Sequence, residues 1–167
     1  MDINQEYLAI CKKRFEKSLL KLELICADLN ETEFPDSSFD LIHAALVFEY
    51  VEVELLLSKI SRWLKPQGIL SVVLQLPSES MPVSETTYQS LKLLNPFMNL
   101  IKPDEFREKA KKHKFSKTRD YIIKLKSGKN FSEIIFKQNK KIGLNSPAVG
   151  MYIEPLRIMI VLLSFLH

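Results

Sequence analysis

Phe34-Pro35-Asp36-Ser37-Ser38-Phe39-Asp40-Leu41-Ile42-His43-Ala44-Ala45-Leu46 and, further along, Trp63-Leu64-Lys65-Pro66-Gln67-Gly68-Ile69-Leu70-Ser71-Val72-Val73-Leu74 carry the reading of the fold. Proline, aspartate and serines make a turn at 34–38, and the apolar run behind it predicts a buried strand from Phe39 to Leu46, with Asp40 at its entry and His43 midway. Between the two stretches, Val53, Leu56, Leu57, Ile60, Trp63 and Leu64 recur at helical spacing and predict a helix from Glu52 to Leu64. Lys65-Pro66-Gln67-Gly68 ends it, pairing a proline that cannot continue with a glycine that can turn. Ile69 to Leu76 then favours a pleated strand. Strand, helix and strand at this spacing imply a parallel crossover, hence an α/β sheet.

On the N-terminal side, Asn4 is placed to cap a helix from Gln5 to Leu20, with Leu8, Cys11, Phe15 and Leu19 on one face and Lys12, Lys13, Glu16 and Lys17 on the other. Leu22 to Ala27 is a short apolar run closed by Asp28, the pattern of a buried strand whose carboxyl end carries a polar group into a crevice. On the C-terminal side, Pro77 to Lys102 is rich in Ser, Pro and Met and reads as a lid or insertion with a short helix over 88–94. A charged helix is expected over Asp104 to Lys112. Thr118 to Lys126 and Asn130 to Lys137, joined at Ser127-Gly128-Lys129, form the clearest hairpin of the chain.

The order acid, helix, strand ending Ala27-Asp28-Leu29, turn, Phe39-Asp40-Leu41-Ile42 strand, helix, Leu64-Lys65-Pro66-Gln67-Gly68, strand and closing hairpin resembles a class I S-adenosylmethionine-dependent methyltransferase, of the methyltransferase type 11 kind, from Asp2 to about Gln138. The resemblance implies a Rossmann-like sheet and the cofactor S-adenosyl-L-methionine. It implies that Asp2 accepts from both ribose hydroxyls, a task suited to an acceptor-only carboxylate, with Ile3 against the adenine face. Asp28 would accept from the adenine amino group and the Leu29 amide would face the ring. Ala44, Ala45 and Leu46 would lie under the methionine part. Glu49-Tyr50 begins a helix at a place where, the resemblance implies, relatives often set polar residues near the substrate. Read without the resemblance, Asp2 is a frayed surface residue or a helix N-terminal acid, Asp28 caps the following turn, His43 is a satisfied core or strand-edge histidine, and Glu49 is equally an exposed first-turn acid favoured by a helix dipole. No residue stands out as a catalytic base, and methyl transfer from a sulfonium needs mainly alignment of the acceptor and exclusion of water.

The family's first motif is a strand followed by Gly-x-Gly-x-Gly, where missing side chains let backbone approach the cofactor. The four glycines here are Gly68, Gly128, Gly143 and Gly150, and no Gly-x-Gly occurs at any position. The expectation is a sheet truncated at its N-terminus, lacking the first strand and nearly all of the second from the family order 3-2-1-4-5-7-6, with a cofactor site impaired to match. Such a gap leaves unpaired backbone at ~1 to 3 kcal/mol per buried group. The flanking strands can pair directly, another chain can fill the gap, or the tail can, with Met159-Ile160-Val161-Leu162-Leu163 as the substitute strand. The organisation expected is a partial methyltransferase domain over 1–138, with 77–102 on the acceptor side, and an atypical tail over 139–167.

The 167 residues, 46% hydrophobic and 26% charged, suit a single globular domain that needs neither disulfide nor metal. Cys11 and Cys26 lack ligand or framework spacing and read as reduced core residues of a cytoplasmic protein. The net charge of +4 is mild. Lys109, Lys111, Lys112, Lys114, Lys117 and Arg119 read as a solvated face rather than a nucleic-acid surface, since no aromatic residues are interleaved for stacking. The apolar run Ile158 to Leu166 falls far short of the ~20 residues of a membrane span and reads as buried structure. The partners expected are a methyl acceptor of unknown identity and a protein, another copy included, at an exposed strand edge; a non-catalytic interaction module is the rival reading.

Overall fold

The computed structural model describes residues 1–19, 21–77, 98–126, 128–140 and 156–162. Its centre is β1 (Phe39–Ala45), joined through a 3-10 turn at Phe48–Tyr50 and helix α2 (Val53–Trp63) to β2 (Leu64–Gln75). β1 and β2 are parallel, with His43 opposite Ser71 and Ala44 opposite Val72. Helix α3 (Pro103–Lys112) precedes the hairpin of β3 (Phe115–Lys124) and β4 (Asn130–Gln138), and β4 pairs antiparallel with β2. The short helix expected over 88–94 lies outside the described residues.

β5 (Ile158–Leu162) lies parallel to β1, with Leu41 opposite Ile158 and Ala45 opposite Leu162, giving the order β3-β4-β2-β1-β5. The tail therefore supplies the substitute strand over 158–162. The ladder continues beyond it. Met1 N donates to the Ile160 carbonyl at 2.8 Å, and Asp2 forms a parallel bridge with Cys26, its N–H on the Ile25 carbonyl and its carbonyl taking the Ala27 N–H. Asp40 fastens the entry of β5: its N–H donates to the Arg157 carbonyl, and its Oδ2 accepts the Arg157 N–H at 2.9 Å and the Lys65 ammonium at 3.1 Å. Burial alone would raise the Asp40 carboxyl, but the hydrogen bonds from Arg157 and Lys65 overcome it and hold it below its ordinary value.

The core lies on one face of the sheet. Ile42, Ala44, Met159 and Val161 join Leu70, Val72, Leu74, Ile134 and Phe136 beneath α2 and α3. The rings of Phe48 and Phe106 meet edge to face at 4.6 Å, and Phe34 stands edge-on to both Phe39 and Trp63 at 5.2 Å. Alternation along β5 sorts its side chains, with Met159 and Val161 buried and Ile158 and Ile160 half exposed.

Several expectations need correction. Helix α1 runs over Gln5–Phe15, ending short of Leu20. Asn4 caps it through the Glu6 N–H, but only Leu8 is buried, while Phe15 and Leu19 are exposed. An apolar stripe holds a helix only as far as something covers it. Leu22 to Ala27 contributes a single bridge rather than a strand, and Cys26 is exposed rather than in the core. Lys65-Pro66-Gln67-Gly68 is not a turn between elements, because β2 begins at Leu64 and runs through it. The positive φ there belongs to Gln67, at 67°. Gly68 serves close approach instead: a Cβ on it would stand 2.9 Å from the Lys65 carbonyl oxygen and 3.2 Å from that of Asp40.

Candidate functional site

The parallel strands end on one side of the sheet, where ligands of open α/β sheets bind. From Asp2 the chain travels outward through α1 to Cys26; from β1 it travels the opposite way through α2 to β2. The two directions part at β5. Asp2 and the end of β1 therefore flank β5, roughly 10 Å apart at two strand spacings, and Asp28 lies two residues past the Cys26 bridge.

Asp2 is buried and its Oδ1 accepts the Asn4 N–H at 2.7 Å. Ile3 is 64% exposed, an apolar side chain presented to solvent at the strand ends. Asp28 folds the loop behind it. Oδ1 accepts the Asn30 N–H at 2.8 Å and the carbonyl accepts the Thr32 hydroxyl at 2.6 Å, while no described residue engages Oδ2. Leu29 belongs to the core. Ala44, Ala45 and Leu46 are all buried. Leu46 turns at φ 56° with its N–H on the Val73 carbonyl, so the backbone bends sharply at the carboxyl end of β1. The bridge and β5 thus bring Asp2, Ile3, Ala45 and Leu46 to one side of the sheet. His43 faces Ser71, with Nδ1 and Oγ 3.0 Å apart, as a satisfied strand histidine.

Of the two readings of Glu49, the exposed acid is the one the structure corrects. Glu49 is 1% exposed, not the solvent-facing acid expected. Its Oε1 accepts the N–H of Gln75, at the end of β2, at 2.7 Å, and its carbonyl accepts the N–H of Asn99. Oε2 is buried without a hydrogen-bond partner among the described residues. Burial pushes the carboxyl up to about 7 against the lowering pull of the Gln75 N–H. The same burial, with Glu49 adding, raises Tyr50 to about 12. Two other buried side-chain atoms without partners, on Trp63 and Gln138, lie toward the opposite end of β2. A lone acid inside Ala44-Ala45-Leu46-Val47-Phe48-Glu49-Tyr50-Val51 was the available signal, since a continuous apolar run predicts burial for whatever it contains. Among the described residues no cluster of three or more His, Cys, Asp or Glu is arranged to hold a metal, and no helix is long and apolar enough to cross a membrane.

Comparison with known proteins matches this fold. Residues 1–72 fit the family model described as a methyltransferase domain. The [4+2]-cyclase SpnF is similar in structure, with a TM-score of 0.61 and 15% identity over 83% of this chain and 65% of the cyclase. A Galdieria sulphuraria protein described as a sarcosine dimethylglycine methyltransferase superposes with a TM-score of 0.61 at 12% identity, covering 84% of this chain and 70% of its own. A SAM-dependent methyltransferase from Methanosarcina mazei gives 0.58 at 15% identity, covering 84% and 81%. No curated protein matches the sequence. At these identities the likeness is one of fold, and the first of the three is named for a cyclase rather than a methyl transfer.

Proposed function

We propose that this chain, which has the class I S-adenosylmethionine-dependent methyltransferase fold and matches the methyltransferase-domain family over residues 1–72, is built to hold S-adenosyl-L-methionine across the carboxyl ends of its parallel strands and to present a methyl acceptor to it. The observation that carries this reading is a pair of acids at the point where the chain directions part, Asp2 next to β5 and Asp28 two residues past the Cys26 that bridges Asp2. The residues suit the adenosine half. Asp2 takes the ribose hydroxyls, the exposed Ile3 covers one adenine face, and Oδ2 of Asp28 takes the adenine amino group next to the Leu29 amide. Ala44, Ala45 and Leu46 bound the methionine half, where the bend at Leu46 brings backbone forward. The sulfonium of the bound cofactor supplies the methyl group.

Glu49 stands on the acceptor side of this arrangement, between the two ends of the 77–102 insertion, since it holds Gln75 before it and Asn99 near its close. Its Oε2 can carry a proton near neutrality, which suits a group that accepts one from the acceptor as the new bond forms. The acceptor itself is not specified by these residues.

The absence of Gly-x-Gly from the sequence favours a second reading, a methyltransferase-like module that binds cofactor weakly and acts through partners. Calorimetric titration with S-adenosylhomocysteine separates the two. Micromolar binding that Asp28→Ala weakens about tenfold or more, the loss of one charge-assisted contact, supports the enzyme. A folded chain that gives no heat at millimolar ligand sinks it and leaves the module.

A further inference from the structure

Among the described residues the sheet ends at β3, and the outer edge of β3 is uneven in its defences. Its first half carries a bulge between Lys117 and Arg119, and Lys117 is tied to Asp120 at 2.8 Å. Bulges and edge cations are devices that keep strange strands away. The second half lacks a bulge and is apolar on both faces: Tyr121 is 46% exposed, Ile122 57% and Ile123 38%, followed by Leu125 at 44%. Pairing with β4 fixes the faces. Asp120 stands opposite the core residue Ile134 and reaches Arg107 of α3, so Asp120, Ile122 and Lys124 face the helices. Tyr121 and Ile123, opposite Glu133 and Phe131, face the other way.

We propose that β3 pairs antiparallel with β3 of a second copy of this chain about a two-fold axis at Ile122, joining the two sheets into one. The sequence of the strand selects this register. With Ile122 on the axis, Asp120 stands opposite Lys124 of the second copy twice over, Tyr121 opposite Ile123 twice, and Ile122 opposite itself. Over 120–124 charges meet opposite charges and apolar residues meet apolar ones on their proper faces, and the mismatch of Arg119 with Leu125 falls only at the margin of the pairing. Moving the axis to Tyr121 sets Asp120 against Ile122 and Arg119 against Ile123. Moving it to Ile123 sets Ile122 against Lys124. Registers with the axis between residues bring Arg119 against Lys124 or Lys126. Lys124 has no ion-pair partner among the described residues of its own chain and is left to serve this contact. The strand edge supplies unpaired N–H and C=O groups of both copies to one another, the physics of β-augmentation. The dimer is independent of the cofactor reading, since β3 is at the far side of the sheet from Asp2.

Light scattering on the full chain across a concentration series tests the dimer. The expected result is a dimer whose dissociation constant rises about tenfold or more in Ile122→Lys, which puts like charges on the axis, with circular dichroism unchanged because Ile122 is 57% exposed and outside the core cluster. A second test asks for the register. In a Cys11→Ser, Cys26→Ser background, oxidation should cross-link Ile122→Cys as a covalent dimer and leave Lys124→Cys, which faces Asp120 instead of itself, monomeric. A chain that stays monomeric at every concentration, a dimer indifferent to Ile122→Lys, or equal cross-linking at both positions overturns the proposal.

Discussion

Replacing Glu49 with glutamine should change how the stability of the fold depends on pH, and the size of the change follows from the burial of this side chain. The native carboxyl titrates near 7, against an ordinary 4.5. Between those values the native state keeps a proton that the unfolded chain has released, so stability falls as pH rises through the window, and the full penalty is present above it. At about 1.4 kcal/mol per unit the ceiling is roughly 3 kcal/mol. In Glu49→Gln the amide oxygen still accepts from Gln75 N–H, while the titrating oxygen becomes an NH2 group. Its own desolvation cost of ~1 to 3 kcal/mol is the same at every pH and cancels when two pH values are compared. Urea unfolding of parent and variant at about pH 5 and about pH 8 should therefore show the variant gaining on the parent by up to roughly 3 kcal/mol. In melting temperature that is on the order of 6 to 12 °C for a chain of this size. A difference between the two proteins that is the same at both pH values would refute the argument and mean that Glu49 is hydrated or paired in solution.

Deleting residues 156–167 removes β5 with the buried Met159 and Val161; at ~1.5 to 3 kcal/mol per buried side chain the expected loss is ~3 to 6 kcal/mol, read by denaturant unfolding, and an unchanged midpoint would show that β5 carries no weight. Asp40→Ala takes the acceptor away from Arg157 N–H and Lys65, and should cost ~1.5 to 3 kcal/mol and raise hydrogen exchange across 157–162 first. Because the Asp40 carboxyl sits below its ordinary 3.8, that contribution is present above this value and fades as pH falls through the lower native one, so parent and Asp40→Ala should converge in acid. Gly68→Ala forces a Cβ to within 2.9 Å of a backbone oxygen, an overpacking that should cost ~1 to 3 kcal/mol; a neutral thermal melt would show that the strand shifts freely there.

Local patterning carried much of the fold. α2, β1, β2 and the β3–β4 hairpin were readable because each has either a full apolar stripe or a continuous apolar run bounded by turn residues, and these signals need no tertiary context. The same logic overreached at α1, where the stripe from Leu8 to Leu19 promised a cover that only Leu8 finds. It overreached at Leu22 to Ala27 too, where apolar residues form one bridge instead of a strand. β5 was legible only by elimination, since the gap in the expected sheet pointed to the tail while the tail itself gave an ambiguous apolar run. At the candidate site, Asp2 and Asp28 were named through the family resemblance that the order of elements carries, and β5 is what brings Asp2 level with Ala45. The burial of Glu49 escaped because residue type argued for solvent, while its apolar neighbours, which decide burial, argued the other way.

Met1 and Ile160, which share a hydrogen bond on the outer side of β5, are 159 positions apart in the chain. The seam along β5 is therefore the most remote junction in sequence, although its neighbours on one side, β1 and β2, need only a local crossover. Loop closure over such a span grows only logarithmically in cost, but it makes the seam a late event in folding. Until residues 156–162 have left the ribosome and docked, the piece that holds β1 to β4 can exist without Asp2 beside it. Docking of β5 then sets Asp2 level with the carboxyl end of β1 in a single final step, so that a partly made chain has a core before that edge of the sheet is assembled.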